Sequence, residues 1–226
     1  MRHQRPERPS MADGRQAALR DRSPMRLTSA IPSLGHCIVR SAELLVRRAV
    51  SQPATHVGQV LSFADGSAGR VYRETVLRGA ACDKPAVLIV GFRLRWVHGW
   101  GDRLFRAESI LNTPLFVGFP GFVSKLWVAH DGNGVYRGVY QWNDPGLADA
   151  YVRALWWVLA LVSERRSIRY MVIPDIRRDE MLLDPDLVHP TERADTRAWW
   201  RLTHCFLAPT ERCAESRARM TQNAAS

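Results

Sequence analysis

The chain holds two lysines, Lys84 and Lys125, against thirty arginines. Lys125 sits inside the strand-like stretch FVSKLWVAH, and Trp127 follows two positions later. The next strand-like stretch, VYRGVYQW, supplies Tyr136, Tyr140 and Trp142. An ammonium taken out of water among rings loses affinity for its proton, and Lys125 in such a place would stabilise an enolate or phenolate. Tyr136 or Tyr140 would donate to a ketone, and Trp127 and Trp142 would wall an apolar site. In a second reading of the same residues, Lys125 reaches a carboxylate or a pocket rim and the rings only pack a core.

Other chemistry is thinly represented. Cys37, Cys82, Cys205 and Cys213 show no C-x-x-C spacing, and His204–Cys205 is a lone pair of neighbours, so no metal site is expected. Such cysteines read as reduced thiols of a cytoplasmic protein. His98 and His130 flank expected loops, as bases or as solvated side chains. No Ser-His-Asp spacing, phosphate-cradling glycine loop or pair of catalytic carboxylates is evident, and DGNG at 131–134 carries too few ligands for a calcium loop.

The elements that position Lys125 follow from periodicity and punctuation. Ala86 to Leu94 reads as a buried strand, and Asp102 to Asn112 as a helix ended by Thr113-Pro114. Phe122 to Ala129 and Val135 to Trp142 form a hairpin. Asn143-Asp144-Pro145 caps a helix with apolar residues at Leu147, Ala150, Tyr151, Ala154, Leu155, Val158, Leu161 and Val162. Ile168 to Ile173 is a last strand before Pro174. Strand, helix, strand, strand, helix, strand is the ferredoxin-like order, an α+β fold with both helices on one sheet face.

Alternation assigns the faces. With Asn133-Gly134 as a two-residue turn, Trp127 faces Tyr140 and Lys125 faces Trp142. Phe122, Leu126, Val128, Val135 and Val139 then join Leu88, Val90, Phe92 and Leu94 beneath the helices. Lys125, Trp127, Tyr136, Tyr140, Trp142, Val123, Ile89, Arg93 and Arg95 fall on the open face, with Lys125, Tyr140 and Tyr136 as catalytic candidates and the others lining a pocket. So large an aromatic patch requires cover. A second copy would close a barrel around a pocket, or the rings would stack unpaired RNA bases as RNA-recognition modules do.

The rest of the chain is organised around this core. Residues 1–53 carry a net +6 of the total +10 and read as a basic, largely disordered arm with one short helix over 34–50. Residues 54–84 hold a β-hairpin turned at Asp65-Gly66, 85–175 the ferredoxin-like domain, and 176–226 an extension with one helix around Thr191 to Phe206 and a disordered tail. The longest apolar run, Ala154 to Val162, is half the length of a membrane span. The charge sits mainly on the arm, which weakens a nucleic-acid reading.

Residues 86–174 resemble the dimeric α/β-barrel proteins related to the antibiotic-biosynthesis monooxygenases. The resemblance rests on Ala107-Glu108-Ser109-Ile110 closing the first helix, Pro120-Gly121-Phe122 entering a strand, and Lys125-Leu126-Trp127 within it. It continues through Gly138-Val139-Tyr140-Gln141-Trp142 and Ala148-Asp149-Ala150-Tyr151. It implies a ferredoxin-like βαββαβ subunit, a homodimer joined through open sheets, and an internal small-molecule pocket. It further implies oxygenation of an aromatic or polyketide-like substrate with no cofactor, neither metal nor flavin; a non-catalytic binding or structural dimer is the alternative. TPLFVGF at 113–119, the N-terminal hairpin and both arms depart from that pattern.

Overall fold

The computed structural model describes residues 19–20, 22–95, 113–188 and 198–207. The expected helix at 102–112, His98 and the Ala107–Ile110 motif lie outside the described residues. Elements in chain order are β1 (Leu19–Arg20), α1 (Leu27–Val46), β2 (Val50–Ser51), β3 (Gln59–Phe63), β4 (Ala68–Leu77), β5 (Ala86–Arg93), β6 (Phe122–Val128) and β7 (Val135–Trp142). They continue with α2 (Pro145–Val162), β8 (Arg169–Pro174), α3 (Arg178–Leu183) and β9 (Leu202–Leu207). The fold is α+β. Its antiparallel sheet runs β1-β8-β5-β7-β6-β4-β3-β9, with β2 added to β4, and curls into a half barrel.

The local signals for most elements act as expected. Asp144 caps α2 by accepting from the backbone N–H groups of Gly146 and Leu147, and Pro145 fills the first turn. Gly66 takes a positive φ of 84° at the β3–β4 turn. That hairpin belongs to the main sheet, because β4 pairs along β6.

Two readings are corrected by the structure. Helix α1 begins at Leu27, not Leu34, and tolerates Pro32 because Ala30, Cys37 and Ser41 are buried against the body. Thr191 to Phe206 is not a continuous helix: Leu202–Leu207 is a strand on β3, and residues 189–197 lie outside the described residues. By length and composition α2 is apolar enough to cross a membrane, although half of it is buried inside the molecule as a core helix.

The largest correction concerns the two faces of the sheet. Trp127, Tyr140 and Trp142 share a core with Leu88 and Val90, with Ala30 and Cys37 of α1, and with Tyr151, Val152 and Leu155 of α2. The aromatic face therefore lies beneath the helices. Leu126, Val128 and Val139 lie on the reverse with Val87, Ile89 and Met171. There the curl of the sheet brings Leu61 and Phe63 of β3 and Leu202 of β9 into the same cluster, and Met181, Leu182 and Trp200 close it. The aromatic surface expected to receive a second copy or RNA bases is covered by α1 and α2, and the reverse is closed by β3, β9, Met181, Leu182 and Trp200.

The cause is one of register. Leu88 pairs with Tyr140 and Ile89 with Val139, so Leu88 shares a face with the rings and not with the hairpin aliphatics. Asp131 accepts from the backbone N–H groups of Asn133 and Val135, and Gly134 takes the left-handed conformation (φ 74°). This longer turn shifts the hairpin, pairing Lys125 with Tyr140 and Trp127 with Gly138. An irregularity between Phe122 and Ser124 moves Phe122 onto the aromatic face.

Candidate functional site

Lys125 projects from β6 into the layer between the sheet and the helices. Its Nζ lies 3.1 Å from the ring centroid of Trp127, 4.6 Å from that of Phe116 and 4.7 Å from that of Tyr140. It has no hydrogen-bond or ion-pair partner among the described residues. The residue is buried but not sealed, with 6% of its surface accessible.

Each wall of this cage has its own support. The indole N–H of Trp127 donates to Thr75 Oγ1 (3.2 Å), and Thr75 pairs with Lys125 across β4 and β6. The Arg73 guanidinium stacks 4.3 Å from the Trp127 centroid and donates to Thr113 Oγ1 (3.2 Å). Phe116 comes from the 113–119 segment, which α1 clamps. Ser41 Oγ donates to the Pro114 carbonyl (2.8 Å) and accepts from Gly118 N–H (2.7 Å). Gly118 permits this approach, since a Cβ there would lie 2.1 Å from the Cys37 carbonyl. Gly138 makes room for the Tyr140 ring, whose Cε2 would lie 2.6 Å from a Cβ at that position. The Tyr140 and Tyr151 rings pack against each other with centroids 5.7 Å apart.

The electrostatics favour a neutral amine. Burial, and then the nearby Arg73 charge, hold the Lys125 ammonium well below its ordinary value. The two cationic centres share one indole and lie within about 7 Å, a repulsion of roughly 2 kcal/mol at an effective dielectric of about 20. Ring faces return about 2 kcal/mol for a desolvated cation, whereas burying an ion costs several. Arginine does not give up its proton in proteins, so Lys125 is the cation that yields. Burial also raises Tyr140 and Tyr151 well above ordinary phenols, which keeps both as O–H donors. On the same face, Trp142 is fully buried and its Nε1–H has no acceptor among the described residues.

The structure gathers Lys125, Trp127 and Tyr140 in this cage, with Trp142 next along the face. Tyr136 lies four residues from Tyr140, about 13 Å along the strand; it packs on Phe92 and His130 instead. Arg93 is exposed and pairs with Glu164, Arg95 is exposed, Val123 is half-buried at the bulge, and Ile89 belongs to the opposite face. Sequence reasoning missed Arg73, Thr75, Phe116 and Tyr151. For Phe116 a signal existed: TPLFVGF departs from the resembled pattern and delivers this ring. Among the described residues no group of three or more potential metal ligands comes together.

A second polar cluster lies apart, on the side of α3. Glu74 is buried and accepts from His56 Nδ1 (3.0 Å) and Arg178 Nη2 (2.8 Å), and Arg178 also pairs with Asp179. Burial pushes the Glu74 carboxyl up, but the His56 hydrogen bond and the Arg178 charge outweigh it and hold it below the usual range. Arg178 N–H donates to Gln141 Oε1, so the cluster fastens α3 to β4 and β7. Comparison with protein-family models, curated proteins and solved structures finds no match to the chain.

Proposed function

We propose that the chain is a small-molecule-binding protein whose ligand occupies the Lys125 cage between sheet and helices. The ligand is flat and carries an acidic oxygen, as a phenol or enol does. The observation that carries this reading is the buried amine with three ring faces and no counter-ion among the described residues. A buried amine without a partner costs stability, and a ligand proton converts it to an ammonium beside the anion it has just made. The rings supply stacking area for an aromatic or polyketide-like skeleton.

The finer reading is a ferredoxin-like core in the manner of the cofactor-free monooxygenases. It is supported by the antiparallel order β8-β5-β7-β6 and by a helix between β7 and β8. In that chemistry the substrate anion passes an electron to dioxygen, and Lys125 would take the substrate proton. Tyr140 would donate to a ketone, while Tyr136, Arg93 and Arg95 drop out as site residues on their placement.

Calorimetric titration with 2-naphthol and with 2-methylnaphthalene tests the site. The naphthol is expected to bind at least about tenfold more tightly, the equivalent of about 1.4 kcal/mol, and Lys125→Met to remove the preference. Equal affinities in the unmodified chain would overturn the reading. Oxygen consumption with the bound naphthol separates a monooxygenase from a binding protein.

A further inference from the structure

We propose that Lys125 captures carbonyl ligands covalently, as a reversible imine, which makes aryl aldehydes, aryl ketones and β-dicarbonyl compounds the substrate class. The inference rests on the ligand site proposed above and adds a bond to it. A lysine held by a carboxylate stays an ammonium and has no lone pair to offer. Lys125 has no such partner among the described residues, and its Nζ lies over the rings of Trp127, Phe116 and Tyr140. An apolar site with a second cation nearby is the environment that turns a lysine into a nucleophile at neutral pH, and Arg73 on the same Trp127 ring is that cation.

The step balances without a redox partner. The amine lone pair attacks the carbonyl carbon, and the π pair moves to oxygen. Nitrogen loses its two protons to that oxygen, directly and through solvent, and one water leaves as the C=N bond forms. Protonation of the imine by solvent then acidifies the neighbouring carbon, so a β-dicarbonyl ligand can lose a proton there to give an enamine. Two groups in the layer are suited to the carbonyl oxygen. They are the Tyr140 hydroxyl, kept protonated by burial, and the Trp142 Nε1–H, which is buried without an acceptor among the described residues. The other titratable groups around the cage are Arg73 and Tyr72 from β4, Tyr151 from α2 and Cys37 from α1. Burial raises the last two, and among the described residues no carboxylate lies at the cage to restore the lysine charge.

The chain carries its own control, since Lys84 is the only other lysine and is exposed. The full chain is incubated with benzaldehyde and cyanoborohydride at pH 7, and peptide mass mapping counts benzyl groups on Lys125, Lys84 and the N-terminal amine. Each unit by which a lysine pKa falls gives about tenfold more free amine, so Lys125 is expected to label at least about tenfold faster than Lys84. That ratio is expected to collapse near pH 10, where exposed lysines lose their protons and access decides. Lys84→Arg leaves labelling of Lys125 unchanged. Lys125 unlabelled, or labelled no faster than Lys84 at pH 7, overturns the imine. If the naphthol preference survives that failure, the ligand site stands without covalent capture; if both fail, the site reading falls with it.

Discussion

Replacing Lys125 by methionine should make the protein more stable, the reverse of the usual effect of a core substitution. The side chain is buried, its amine lacks a hydrogen-bond partner among the described residues, and the rings around Nζ are the kind that a thioether contacts favourably. Removing a buried polar group without a partner is worth about 1–3 kcal/mol, and methionine keeps most of the packed stem. The pH dependence is the sharper part. The folded lysine is held below its ordinary value, so between that lowered value and about 10.4 the unfolded chain binds a proton that the folded chain does not. Stability of the parent therefore rises with pH across this window, by about 1.4 kcal/mol per unit, and levels off above it. Methionine has no such term. Its advantage should be greatest at the acidic end of the window and shrink by the same slope as pH rises. Urea unfolding of both proteins from pH 6 to 10.5, followed by tryptophan fluorescence, gives the difference and cancels every group they share. A variant less stable than the parent at pH 7, or an advantage that does not change with pH, would show that Lys125 is neither desolvated nor neutral in the fold.

Two further perturbations probe the supports of the site. Gly138→Ala places a Cβ 2.6 Å from Tyr140 Cε2, so the ring must move; a loss of about 1–3 kcal/mol by urea unfolding and at least about tenfold weaker 2-naphthol binding are expected. Glu74→Gln leaves the buried Arg178 and His56 facing a neutral amide and should cost about 3–5 kcal/mol near pH 7. The parent draws this stability above the ordinary carboxylate value of about 4.3 and loses it as pH falls through the lower folded value, so acid unfolding curves of the two proteins should converge at the acid end.

The sequence was most informative where one local feature decides the outcome. Asp144-Pro145 starts α2, Asp65-Gly66 turns the β3–β4 hairpin, and alternation separates the hairpin aromatics from the aliphatics whichever of the two registers holds. It was least informative about which of those sets meets the helices. Both faces of this sheet are buried, so hydrophobicity cannot rank them. Assigning aliphatics to helices assumed that the reverse was open, whereas β3, β9, α3 and Trp200 enclose it. Leu202–Leu207 shows the same limit, since its burial follows its place on β3 and not a helical stripe. The cage was half legible: its floor comes from β6 and β7, but Phe116, Arg73 and Tyr151 arrive from other elements, and no spacing rule connects them.

The inverted faces change where a ligand can bind. A site on an open sheet would need a second copy to close it, and its lysine would stay solvated, charged and unreactive until that copy arrived. Beneath the helices, the same lysine is desolvated by the chain's own α1, α2 and 113–119 segment. Desolvation of Lys125 then needs no second copy. What sets the cage apart is that no compensating carboxylate reaches it among the described residues, whereas two buried arginine head groups each have one: Asp131 against Arg137 at 2.7 Å, and Glu74 against Arg178 at 2.8 Å. A fold that pairs those two cations and leaves Lys125 to ring faces keeps, among the described residues, an uncompensated amine in its apolar layer, and burial of such a group is the cost that an acidic or electrophilic ligand would offset.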